Sequence, residues 1–79
     1  MATVNTPITN TEYTEVLNGA GHINNLKEIR YLFAATQPAV TTEGIPLMPF
    51  GQVNGKTGEI MWAKCVGFES DTVFSNPEA

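Results

Sequence analysis

Cysteine and histidine are nearly missing: the chain has one of each, Cys65 and His22, in 79 residues. A single cysteine excludes an intrachain disulfide, and the two together are too few for a zinc knuckle, which needs several ligands at fixed spacing. Charge is scarce as well. Charged residues make up 15% of the chain, against roughly 25% in ordinary soluble domains. There are four cations, Lys27, Arg30, Lys56 and Lys64, against eight acids. Four scattered cations build no stripe that could track a phosphate backbone, so nucleic-acid binding is not expected. No apolar run reaches the roughly 18 residues of a membrane span, and no signal-peptide pattern opens the chain. The protein is expected to be made and used without crossing a membrane or embedding in one.

The length allows one domain. Chains of this size bury only roughly 60% of their unfolded surface and often need a staple such as a disulfide, a metal or a partner. With the first two disfavoured and no cofactor motif present, association with other subunits is the staple left. Solubility rests on uncharged polar side chains, mostly Thr and Asn.

Turn residues divide the chain into short segments. MATVNTPITNT carries no charge before Glu12, contains Pro7, and holds Val4 and Ile8 as isolated apolar residues. Residues 1–11 are expected to form an extended arm or irregular first strand; a frayed terminus is the plain reading, and an arm lying on a neighbouring subunit the sharper one. In EYTEVLN, Tyr13, Glu15 and Leu17 alternate with Thr14 and Val16, and Asn18-Gly19 with Gly21 then supply turn chemistry. The segment 23–36 alternates Ile29, Tyr31 and Phe33 with Glu28, Arg30 and Leu32, which predicts a strand, with a helix as the alternative. Pro46 and Pro49 confine Ile45–Phe50 to a sheet edge or extended loop, an unusually apolar one because of Ile45, Leu47, Met48 and Phe50. Asn54-Gly55 predicts a hairpin into the Trp62 strand. ESDTVF reads as a short closing strand, and residues 76–79 as a polar tail. The expected fold is all-β: a small antiparallel sandwich or barrel of five to six short strands over residues 12–75, preceded by the arm.

No catalytic or metal constellation is visible. His22 stands alone beside a turn. Cys65 lacks a local base, because the neighbouring Lys64 points to the opposite face of a strand, and it is expected to pack as a small hydrophobe. Glu69 and Asp71 share a face but supply too few oxygens for calcium. GQVNGKTGE falls one residue short of a Walker frame and leads into a strand. The chain is therefore not expected to be an enzyme.

The informative stretch is GKTGEIMWAKCVGFESDTVF, which is apolar on both faces. Ile60, Trp62, Lys64, Val66 and Phe68 point one way, while Met61, Ala63, Cys65 and Gly67 point the other. If the Trp62 row fills the core against Tyr13, Leu17, Tyr31 and Phe33, the Met61 row needs a separate cover. The Ile45–Phe50 edge, from the same subunit or the next, is the candidate. The expected partner interface is accordingly Val4, Ile8, Ile45, Leu47, Met48, Phe50 and Met61, and the expected state a homo-oligomer, a trimer ahead of a dimer.

Ala34-Ala35, Gln37-Pro38, Gly44, Gly58, Ile60 and Trp62-Ala63-Lys64 together form a pattern: a strand ending in alanines, a Gln-Pro turn and a glycine, then a Gly-x-Ile strand carrying Trp-Ala-Lys. In this pattern the segment from Arg30 to Gly67 resembles a module of small accessory proteins of tailed bacteriophage virions. The resemblance implies a β-rich, non-enzymatic protein that attaches to a major capsid protein or a tail protein, often as a trimer, in a virion assembled in the host cytoplasm. The alternative is a carbohydrate- or ligand-binding module using Trp62 or Tyr31 as a stacking surface.

Overall fold

The structure, a computed structural model, describes residues 3–66 and 70–77. These form strands β1 (Val4–Ile8), β2 (Thr14–Asn18), β3 (Gly21–Asn25), β4 (Ile29–Phe33), β5 (Ile45–Leu47), β6 (Gln52–Gly55), β7 (Ile60–Cys65) and β8 (Asp71–Pro77). They pair antiparallel in two four-stranded sheets, ordered β1-β8-β3-β6 and β2-β7-β4-β5. The all-β sandwich class expected from alternation and turn spacing is what the chain adopts, with eight strands rather than five or six.

Several boundaries differ from the sequence expectation, each for a physical reason. Residues 4–8 are the first strand rather than an arm: β1 pairs with β8 from Val4↔Ser75 to Ile8↔Asp71, which puts Ile8 fully inside the core. The supposed tail is likewise strand as far as Pro77, since β8 lies between β1 and β3 and both neighbours pair with it. Segment 23–36 contains no helix. It splits into β3 and β4, which lie in different sheets, with the turn at 26–28 held by Asp71, whose carboxylate accepts from the Lys27 N–H at 3.1 Å. Asn54-Gly55 is not a hairpin either: β6 pairs with β3, while β7 pairs with β2 and β4 in the other sheet.

The core forms between the two sheets from Ile8, Val16, Leu17, Ile23, Ile29, Met61, Ala63, Cys65 and Val73. Alternation delivers most of it, as in β7, where Met61, Ala63 and Cys65 are buried. In β2 an irregularity between Glu15 and Leu17 breaks the alternation, so Val16 and Leu17 both turn inward. Gly21 marks the tightest backbone approach. A Cβ there would stand 2.5 Å from the Asn76 carbonyl, which fixes glycine where β3 meets the end of β8.

The two-faced strand is resolved in the opposite sense to the one expected. The small-residue row of β7, with Met61 at 1% exposure, faces the other sheet, and the half-buried Ile60, Trp62 and Lys64 face away from it. Ala63 and Cys65 let the sheets close together, whereas Trp62 carries an N–H that needs an acceptor. It finds one in Ala34, whose carbonyl lies 2.9 Å from the indole nitrogen. Phe68, placed in the Trp62 row by sequence, lies outside the described residues.

Residues 34–44, which join β4 to β5, form a strap over this second face. Beyond Ala34, the Val40 carbonyl accepts from Lys64 Nζ, and the Thr42 carbonyl accepts from the Tyr13 hydroxyl at 2.7 Å. Gln37 Nε2 donates to the Tyr13 carbonyl at 2.8 Å. Tyr13 is fully buried beneath the strap, outside the central cluster. Gly44 ends it, and a Cβ there would meet the Tyr13 hydroxyl at 2.7 Å. Both faces of β7 are thus covered within one chain.

Candidate partner interface and adjoining cleft

Of the seven residues expected at a partner interface, Ile8 and Met61 are excluded by position, being 0% and 1% exposed in the core. Ile8 is drawn in by strand pairing, and Met61 by the parity of β7. Val4 is exposed on β1, on the other sheet from β5. Leu47 is half-buried against the core. Ile45, Met48 and Phe50 remain together at the sheet edge, exposed by 51%, 63% and 82%.

This edge is built rather than loose. Its anchor is Asn25, an inward residue at the end of β3 with 1% exposure. Asn25 Oδ1 accepts from the Gly51 N–H at 2.9 Å, while Nδ2 donates to the carbonyls of Leu47 and Met48 at 3.3 and 3.0 Å. The backbone adds a bond from the Phe50 N–H to the Asn25 carbonyl at 3.0 Å and one from the Gly51 N–H to the Met48 carbonyl at 3.1 Å. Within this clamp Phe50 adopts φ 61°, the left-handed region that a bulky side chain rarely enters. A single amide therefore fixes the 47–51 turn and holds a phenyl ring out in water. The sequence pointed to the apolar edge but not to Asn25. Its one available signal was an asparagine at an inward position of an alternating strand.

No family model matches this chain, and no curated protein or solved structure does either. The remaining candidates are placed by geometry alone. Trp62 and Tyr31 are both half-buried. The N–H of the first is engaged by Ala34, and the ring of the second meets Phe33 edge-on at 6.2 Å. Cys65 is buried, with Sγ 3.5 Å from the Ile8 carbonyl. His22 is half-buried on β3. Asp71 spends its carboxylate on the backbone N–H groups of Lys27 and Thr72, at 3.1 and 2.8 Å, and Glu69 lies outside the described residues. Among the described residues no three of His, Cys, Asp or Glu gather as a metal site would require.

Next to the edge, an open cleft of about 480 Å³ lies between the end of the strap and the strands beneath it. Its walls include Arg30 of β4, Lys64 of β7, Thr42, Glu43 and Gly44. Lys64 Nζ also stands 5.0 Å from the centre of the Tyr13 ring, a cation–π contact. Burial raises the Tyr13 phenol above its ordinary 10.0, and the positive charge of Arg30 acts in the opposite direction.

Proposed function

We propose that this chain is a non-enzymatic structural protein of a virion, which docks on a capsid or tail protein and on copies of itself through the Ile45–Phe50 edge. The observation that carries the proposal is Phe50: a large apolar side chain held in solvent, on a left-handed backbone, by a buried amide. Such a backbone costs of the order of 1–3 kcal/mol, and the exposed ring contributes no burial to offset it. A partner that covers the turn supplies that burial, which offsets the backbone cost. Pro46 in β5 supports side-chain docking over strand addition, since it gives the sheet edge no N–H to extend the ladder. The resemblance of the Arg30–Gly67 segment to virion accessory modules supports the same reading. A trimer is favoured over a dimer.

Two measurements test it. Light scattering of the purified chain across dilution should give a mass near three times 8.5 kDa, and Phe50→Ser should shift it to one times that value while the circular dichroism is unchanged. Mass spectrometry of purified virions of the encoding virus should find the chain in fixed ratio to the capsid or tail protein. Its absence from virions removes the virion reading. A wild type that stays monomeric at millimolar concentration removes self-association.

A further inference from the structure

Arg30 and Lys64 stand directly opposite each other in the β4–β7 register, and both line the cleft under the strap. Like charges in directly opposed positions on adjacent strands are destabilising. In a chain with four cations and eight acids, an opposing carboxylate would be easy to supply. None is supplied to Arg30: no side-chain acceptor or acid pairs with it among the described residues. Lys64 is differently placed. Its ammonium is held by the Val40 carbonyl and the face of Tyr13, which fix it at the cleft wall and leave its charge unneutralised.

We propose that this cleft binds a carboxylate, with Arg30 as the planar fork that receives it and Lys64 as the second charge. Charge selects the ligand. Two cations and the Glu43 carboxylate on the same walls leave one net positive charge, which a single carboxylate balances and a phosphate dianion exceeds. Geometry selects it as well, because the guanidinium of Arg offers two parallel donors that match the two oxygens of a carboxylate. The volume of about 480 Å³ exceeds a carboxylate alone, so the group arrives on a larger body: a small organic acid, or an acidic side chain presented by a protein. The site does not depend on the docking role of Phe50, and the two fail separately.

The test uses the full chain labelled with ¹⁵N and follows its amide shifts during titration with sodium acetate, with sodium chloride at equal ionic strength as the control. A second titration uses a blocked hexapeptide with one central Asp. Acetate should give saturating shifts at Arg30, Thr42, Gly44 and Lys64 that chloride does not reproduce. Arg30→Gln should weaken binding at least fivefold, and Arg30→Lys, which keeps the charge and loses the fork, should fall between. Glu43→Gln should tighten it. Peptide binding at least tenfold tighter than acetate assigns the carboxylate to a protein partner, and equal binding assigns it to a small acid. The proposal is overturned if chloride produces the same shifts, or if a folded Arg30→Gln or Arg30→Lys binds acetate as the wild type does. If Arg30→Gln loses its amide dispersion, the Arg30→Lys and wild-type titrations decide.

Discussion

At the scale of single residues, Asn25 and Phe50 act against each other. Asn25→Ala removes the Oδ1 acceptor of the Gly51 N–H and the Nδ2 donor to the carbonyls of Leu47 and Met48, leaving the turn only its backbone bonds. It should cost about 2–3 kcal/mol in urea denaturation, the scale of buried polar groups left unpaired. Phe50→Gly should do the reverse. Glycine enters the left-handed region without strain, so this variant should be more stable by about 1 kcal/mol while losing self-association. A variant that gains stability and keeps full association would show that the strained phenyl serves no docking role. Tyr13 adds a pH dependence. Its phenol is raised above 10.0 in the fold, so the neutral form that donates to Thr42 contributes stability in full below pH 10. That contribution is lost as pH rises through the raised folded value. Tyr13→Phe should be weaker by about 1 kcal/mol at pH 7, with the gap to wild type narrowing above pH 10.

At the scale of elements, the strap is the piece that turns an apolar second face into an asset. Gly44→Val would place a branched side chain against the Tyr13 hydroxyl, where even a Cβ would stand at 2.7 Å, and so lift the strap from the sheet. Acrylamide quenching of Trp62 should rise severalfold in this variant, and unchanged quenching would mean that the strap does not cover β7. The elements also show where sequence is and is not legible. Alternation and prolines were enough to identify strands and to place Ile45–Leu47 at an edge. They did not orient β7, because both of its rows are rich in apolar residues; the signal for the outward row was Lys64, the one charge in the strand, together with the N–H of Trp62. The split at 26–28 escaped because Ile23, Ile29 and Tyr31 keep the two-residue parity through the turn. The Arg30–Lys64 pair was invisible for another reason: register between strands 34 positions apart is written in no local pattern.

At the scale of the whole molecule, the chain changes sheets at every connection except the one between β4 and β5. Almost every strand therefore pairs with strands distant in sequence. Such topologies close costly loops before contacts repay them, and stopped-flow refolding should give time constants of roughly milliseconds to seconds rather than the microseconds of helical bundles. The single connection that stays within a sheet is the strap. It roofs the cleft beside the edge, so the candidate functional features lie where the topology departs from its own rule.

The first and last strands run side by side: Val4 stands opposite Ser75, and the Thr3 hydroxyl donates to Asn76 Oδ1 at 2.7 Å. A sandwich whose first and last strands end within one hydrogen bond of each other enters and leaves through a single doorway. It can be spliced into an exposed turn of a larger protein with a short linker on each side, and the domain and its host should then unfold in separate transitions. The same adjacency allows a circular permutant in which a short bridge joins the two ends and new ends open in the strap, separating the stability of the two-sheet core from that of its lid.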